Sequence, residues 1–388
     1  MHVARRTQYF YNKERMTAKV ASRSNTAMSI AKGIAIILMV AGHAECPGPL
    51  MSFIYLFHMP LFFMAAGYFF SRKNVDNPWD FCARRFRGLY VPFLKWSLFF
   101  LIIHNFMFQI GVLNETYGNW SGGVTHPYTL HTMAQRAVTI VFSMGGYDEF
   151  LAGAFWFFRA LLVSSIMFLV LYRLLDGKRE WLSGWRVAAV ICVAAIAFAC
   201  FKISMGLKVY IIQGGIRETW GILFFGLGMI YRHAEQRLSL DWRQWGFWVA
   251  VAASAAILAA GTVNAWAGMN LAPKMRDVIT LPLTGLAGFF LTYQLSKLID
   301  RRDWWLKRFL VYCGNMTVYV YVFHIISFKV VSAIKIMWYG LDWQQMGCHM
   351  VVHDHHEDMF WILYTAAGVG LPLLWMWISG IISEKIKG

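Results

Sequence analysis

The chain has 388 residues, 58% of them apolar and only 14% charged, with a mean hydropathy of +0.48. Soluble domains carry about 25% charged residues. Here apolar runs of roughly 17–25 residues, enough to cross a bilayer core, recur from end to end without apolar–polar alternation, which excludes both a soluble fold and a transmembrane β-barrel. The net charge of +16 would suggest nucleic acid in a soluble protein; here it is expected to be topological, with no nucleic-acid partner and with room for an anionic substrate on the cytoplasmic side.

Residues 1–28 are polar and basic. They are expected to form a cytoplasmic tail and not a cleaved signal, because no small-x-small site follows the first apolar run. Residues 29–388 are expected to form one integral-membrane domain, an all-α polytopic bundle of about ten transmembrane helices. The expected spans are 29–46, 51–71, 89–111, 152–172, 187–202, 217–231, 246–263, 277–296, 309–328 and 358–381. Lys and Arg number 25 in the segments placed inside and 8 in those placed outside, with Lys32, Lys95 and Arg159 within spans. That bias puts both termini in the cytoplasm. The fifth and sixth spans are the least defined, because 202–231 is only partly apolar. The outer segment 112–151 is too polar to span and long enough to carry an acceptor site. Six scattered cysteines without a CxxC pair suggest neither a zinc site nor a disulfide framework; a Cys46–Cys348 bridge is a minor alternative.

The first span, "AKGIAIILMVAGHAE", places Lys32 and His43 eleven residues apart. At about 100° per residue both project from one helix face, roughly 16 Å apart. Ionisable residues within spans are functional candidates by default, although a snorkelling lysine and an interfacial histidine are the plain alternatives. "FHMPLFFMAAGYFF" carries His58 at the outer end of the second span, with Pro60 in the first turn and Gly67 where close packing is expected. "FCARRFRGLYVPFL" sets Arg84, Arg85 and Arg87 before the third span, suited to bidentate phosphate contacts or to plain positive-inside charge. "AFWFFRALL" buries Arg159 in the fourth span beside Trp156, as a catalytic cation or one half of a structural ion pair. "YCGNMTVYVYVFHI" brings a third intramembrane histidine, His324; histidine is the side chain most easily poised as a base. The polar cluster His353, Asp354, His355, His356, Glu357 and Asp358 has no metal-motif spacing and reads as a solvated outer loop.

Taken in order, these segments resemble the integral-membrane acyltransferase family 3, which includes bacterial O-acetyltransferases of surface polysaccharides. Lys32 to His43 fits its first-span basic-x10-His signature. "FHMPLFFMAAGYFF", "RRFRGLYVP" with Arg84, Arg87 and Pro92, "WFFRALL" and "GNMTVYVYVFH" follow in the family's order over residues 29 to 325. Departures are Lys32 for the commoner arginine, Ala66 and Thr317 at usual serine positions, and Ser29 and Ala31 where an acidic residue often precedes the basic one. The resemblance implies transfer of an acyl group, acetyl foremost, from cytoplasmic acyl-CoA to an acceptor hydroxyl, such as a surface or lipid-linked carbohydrate, at the outer face of a bacterial cytoplasmic membrane. Lys32, Arg84 and Arg87 would hold the CoA phosphates, with Trp156 also at the donor. His43 would act as general base or carry an acyl relay. His58 and His324 would orient it or bind the acceptor, and Arg159 would stabilise developing negative charge. No metal is required. Two readings compete: a proton-coupled exporter of a glycan or small acid, against which no repeated halves are found, and a silent donor-binding module. Acceptor, acyl length and oligomeric state are open.

Overall fold

The computed structural model describes residues 26–117, 125–148, 150–207, 215–237, 242–269, 272–351 and 358–387, the last five for backbone only. Among these residues every regular element is a helix. Helix α1 (Thr26–His43) is followed by a broken second crossing, α2 (Gly48–Tyr55) and α3 (His58–Tyr68). Phe57 leaves helical geometry at the break, with φ −143°, and His58 Nδ1–H donates to Ile54 O across it at 2.8 Å. A short α4 (Arg72–Asp76) leads to α5 (Pro78–Arg85), a π turn over Phe86–Tyr90 and α6 (Val91–Gln109). Residues 78–109 therefore form one 32-residue crossing, longer at its start than the expected 89–111. The π turn shifts the helix phase between Arg85 and α6, a device common near functional sites.

After α6, α7 (Leu130–Ser143) begins at Thr129, whose hydroxyl caps the Thr132 N–H, and packs on α6. There follow α8 (Trp156–Leu175), α9 (Trp185–Ser204), α10 (Ile216–Arg237), α11 (Trp245–Val263), α12 (Asp277–Asp300), α13 (Trp305–Asn315), α14 (Thr317–Tyr339) and α15 (Phe360–Lys387). Among the described residues nine helices are long and apolar enough to cross a membrane. The expected sixth span, α10, falls outside that set because Arg217, Glu218, Arg232 and Glu235 make it too polar. Its 22 residues nonetheless pack against α3, α8 and α9.

The ninth expected span, 309–328, is corrected. The helix breaks at Met316, and the crossing is Thr317–Tyr339. Lys329 and Lys335 thereby leave the outer loop for a buried helix, and each finds oxygen. Lys329 Nζ donates to the carbonyls of Met346 (2.7 Å) and Cys348 (2.5 Å), and Lys335 pairs with Asp358 at 2.7 Å. Of the outer polar cluster only Asp358 is described; His353, Asp354, His355, His356 and Glu357 lie outside the described residues. Cys46 and Cys348 are both free and buried.

Among the described residues, two large apolar cores and two smaller ones fill the bundle. Of the large ones, one gathers Phe63, Trp220, Phe224 and Phe289, the other Phe93, Phe155, Phe158 and Val320, and Phe62 and Phe157 pack against both. The apolar window of α14 is 67% buried and that of α11 only 11%, so α14 is central and α11 peripheral. Close helix crossings depend on glycine. A Cβ at Gly67 would sit 1.8 Å from Phe225 O, and one at Gly228 2.1 Å from Met64 O. The α3–α10 crossing thus admits no side chain at either position, as small-residue helix contacts require.

Candidate active site

Residues Lys32, Ile36, Met39 and His43 follow one another at helical i, i+4, i+7 and i+11 spacing, which aligns them on one face of α1. That face lines two adjoining cavities. The first, about 250 Å³, takes Lys32, Ile36, Arg85, Leu89, Phe157 and Thr317 among its walls. The second, about 240 Å³, takes His43, Tyr55, His58, Trp156 and Arg217. Met39, Met59 and Tyr321 belong to both, so the cavities abut between the two large apolar cores. One end presents Lys32 and Arg85, the other two imidazoles and the Arg217 guanidinium. Burying such groups is costly unless they are paired or face a polar occupant.

The histidines are held in defined roles by their hydrogen bonds. His324 Nδ1 faces Tyr321 O at 2.8 Å, and a carbonyl only accepts, so Nδ1 carries the proton. In the neutral ring His324 Nε2 is then an acceptor. His43 Nδ1 lies 2.8 Å from it and must donate, which leaves the lone pair on His43 Nε2. The same logic applies to His58, whose Nδ1–H donates to Ile54 O. Three elements thus deliver three imidazoles: the end of α1, the break before α3 and the middle of α14. Tyr321 hydrogen-bonds Ala154 O, tying α14 to the segment that precedes α8.

The cations sort differently from expectation. Arg159, the expected charge stabiliser, is buried and forms an ion pair with Glu218, Nη2 to Oε1 at 2.9 Å and Nε to Oε1 at 3.0 Å; it lines neither cavity. The guanidinium on the histidine cavity is Arg217, whose carbon lies 3.9 Å from the Trp156 ring centroid and whose Nε donates to Met269 O at 3.2 Å. Trp156, expected at the donor, lines the histidine cavity and not the Lys32 cavity. Of the three arginines before α6, Arg85 lines the Lys32 cavity. Arg84 and Arg87 are exposed, and Arg84 Nη2 donates to Asn74 Oδ1 at 3.0 Å.

This constellation on an all-helical membrane bundle agrees with a comparison of sequence: the acyltransferase domain profile of family 3 matches residues 25–381. The chain belongs to acyltransferase family 3. No curated protein and no solved structure shows a significant match. Family membership makes the protein a membrane-embedded acyltransferase. It covers both cavities, including Arg217 and the outer loop before α15, which sequence reasoning left unassigned.

That loop supplies a fourth histidine. His349 packs its ring edgewise against Phe150 and Phe328, at centroid distances of 5.7 and 6.1 Å. Burial first, and then the nearby His43 and Lys329, push its pKa down to about 3, so the ring is neutral. No signal in the sequence marks it: it is one histidine in a polar loop. Arg217 was equally hidden, because a charged stretch before a weak span reads as loop.

Proposed function

We propose that the protein transfers an acyl group, acetyl foremost, from acyl-CoA on the cytoplasmic side to a hydroxyl of a surface or lipid-linked carbohydrate at the outer face of a bacterial cytoplasmic membrane, with both termini inside. The observation that carries this reading is the pair of abutting cavities, with Lys32 and Arg85 in one, His43 and His58 in the other, and Met39, Met59 and Tyr321 common to both. CoA is polyanionic with a long, thin thioester arm. Its phosphates suit Lys32 and Arg85, helped by the positive first turn of α14 at Thr317; Arg84 and Arg87 add positive field nearby. The roughly 16 Å from Lys32 to His43 suits the arm.

At the far end His43 Nε2 accepts the proton of the acceptor hydroxyl as its oxygen attacks the thioester carbonyl carbon. The new C–O bond forms, the C–S bond breaks, and the CoA sulfur leaves with the proton returned by His43. His324 positions His43 through the Nδ1–H hydrogen bond. Arg217, which faces this cavity where Arg159 does not, stabilises the oxyanion. Trp156, Tyr55 and Tyr321 supply the flat, polar-edged surfaces that sugar rings stack upon.

The test is thiol release. The full chain in lipid is given acetyl-CoA and free CoA is followed, beside His43→Ala and Lys32→Ala. The expected result is slow release by the wild type, abolished in His43→Ala, and a raised donor KM in Lys32→Ala. Absence of donor binding to the wild type would contradict the reading.

A further inference from the structure

An ion pair is buried beside the cavities without lining either of them. Arg159 on α8 and Glu218 on α10 meet with side chains only 6% and 8% exposed. A buried ion pair often adds no net stability over apolar side chains of similar volume, and its best-attested use is to fix register. The neighbouring residues show which register is fixed. On α8, Arg159 stands one turn after Trp156, and residues three apart are neighbours on a helix surface. On α10, Glu218 directly follows Arg217. One strip of α8 therefore grips two consecutive residues of α10. The Trp156 ring lies against the Arg217 guanidinium at 3.9 Å, and Arg159 holds the Glu218 carboxylate at 2.9 and 3.0 Å.

The next turn repeats the lock. Ser164 Oγ–H donates to Glu218 O at 3.0 Å, and a Cβ at Gly221 would sit 2.1 Å from that hydroxyl oxygen. Successive helix residues point about 100° apart. A slip of α10 by one residue would turn Arg217 away from Trp156 and out of the histidine cavity that it lines. Its Nε–H bond to Met269 O would be lost as well. We propose that Arg159 and Glu218 are positioning residues for the transfer reaction: they touch no substrate and act through Arg217, by holding the first turn of α10 in the one register that presents its guanidinium to the cavity. The proposal rests on the reading of Arg217 as the group that stabilises the oxyanion.

The test is a double-mutant cycle on kcat for thiol release by the full chain in lipid. R217Q should lower kcat about 10²–10³-fold. R159M/E218L replaces the pair with apolar side chains of similar size. It should lower kcat about tenfold, the scale of a small misplacement of a catalytic group, at unchanged donor KM. In an R217Q background it should lower kcat no further. R159K keeps the charge but not the guanidinium fork; it should fall between wild type and R159M/E218L and follow the same cycle. It carries the test if melting shows that the double variant does not fold. Equal losses in the two backgrounds would mean a merely structural role and overturn the proposal, as would full kcat in folded R159M/E218L. Either result, with R217Q still impaired, leaves the oxyanion reading standing. Full kcat in R217Q would overturn that reading and the proposal together.

Discussion

Two histidine pairs lie buried in the bundle, and their surroundings are opposite. His104 on α6 is fully enclosed against Asp148. Its Nδ1 bonds Asp148 Oδ2, its Nε2 meets His126 O at 2.9 Å, and Asp148 Oδ1 accepts from the N–H groups of Phe150 and Leu151. The Tyr128 ring stacks on the imidazole at 3.7 Å. Every polar atom of that pair is engaged within the protein, and neither cavity at the site reaches it. His43 and His324 also form a pair, but their chain of hydrogen bonds starts at a backbone carbonyl and ends on a lone pair facing a cavity. A saturated buried pair can only hold structure, and here it fastens the segment before α8 to α6. A pair with one unused lone pair beside empty space can accept a proton.

Exchanging side chains breaks this comparison where it is strongest. His43→Ala should lower kcat by about 10²–10⁴-fold with little change in melting temperature, read as CoA release alongside a thermal scan. His104→Leu should do the reverse. Removing one partner of a buried pair costs about 3–5 kcal/mol, so the melting temperature should fall sharply while turnover per folded molecule persists. Loss of turnover in His104→Leu with unchanged melting would merge the two classes.

A smaller effect sharpens the role of His324. His324→Ala removes the acceptor for His43 Nδ1–H and should lower kcat roughly 10–100-fold, below the loss from removing the base itself, with donor KM unchanged. His324→Gln offers an amide oxygen in its place and should recover part of the rate. A merely structural His324 would not distinguish the two variants.

On the donor side, Arg85→Gln should raise the acyl-CoA KM about tenfold, the order expected for one charge-assisted hydrogen bond. Arg84→Gln, whose side chain faces Asn74, should change it less. Equal effects would mean that field and not contact holds the phosphates.

The smallest effect is a pH slope. The pKa of His349 is held down to about 3 by burial, against about 6.5 in an unfolded chain. Below pH 6.5 the unfolded chain takes up a proton that the folded ring refuses. Stability from this group is therefore full above pH 6.5 and is lost as pH falls toward 3. The melting temperature of the wild type should drop between pH 7 and 5, and His349→Phe should drop less.

Much of the fold was legible because the length and apolar character of a span are local properties of the sequence. Where tertiary contacts decide, the reading slipped. The α13–α14 break is invisible to hydropathy. It sits beside Gly314, where a Cβ would lie 1.8 Å from Ser29 O, a contact made across the chain. The charges of α10 left its limits the least defined of the ten expected spans, and Arg159 on α8 supplies the partner that lets Glu218 be buried. At the site, Lys32 and His43 were legible because helix geometry alone aligns them. The choice of Arg85 over Arg84 and Arg87 depends on the helix phase at the π turn, which no spacing rule reveals.

In the function proposed, donor and acceptor reach one reaction chamber from opposite faces of the membrane. Thiol release in vesicles of fixed orientation tests it most directly, with acetyl-CoA added to one side only. The account predicts turnover only when the donor has access to the Lys32 face, with the acylated acceptor recovered on the other side. Release of thiol with donor and product on the same face would contradict it.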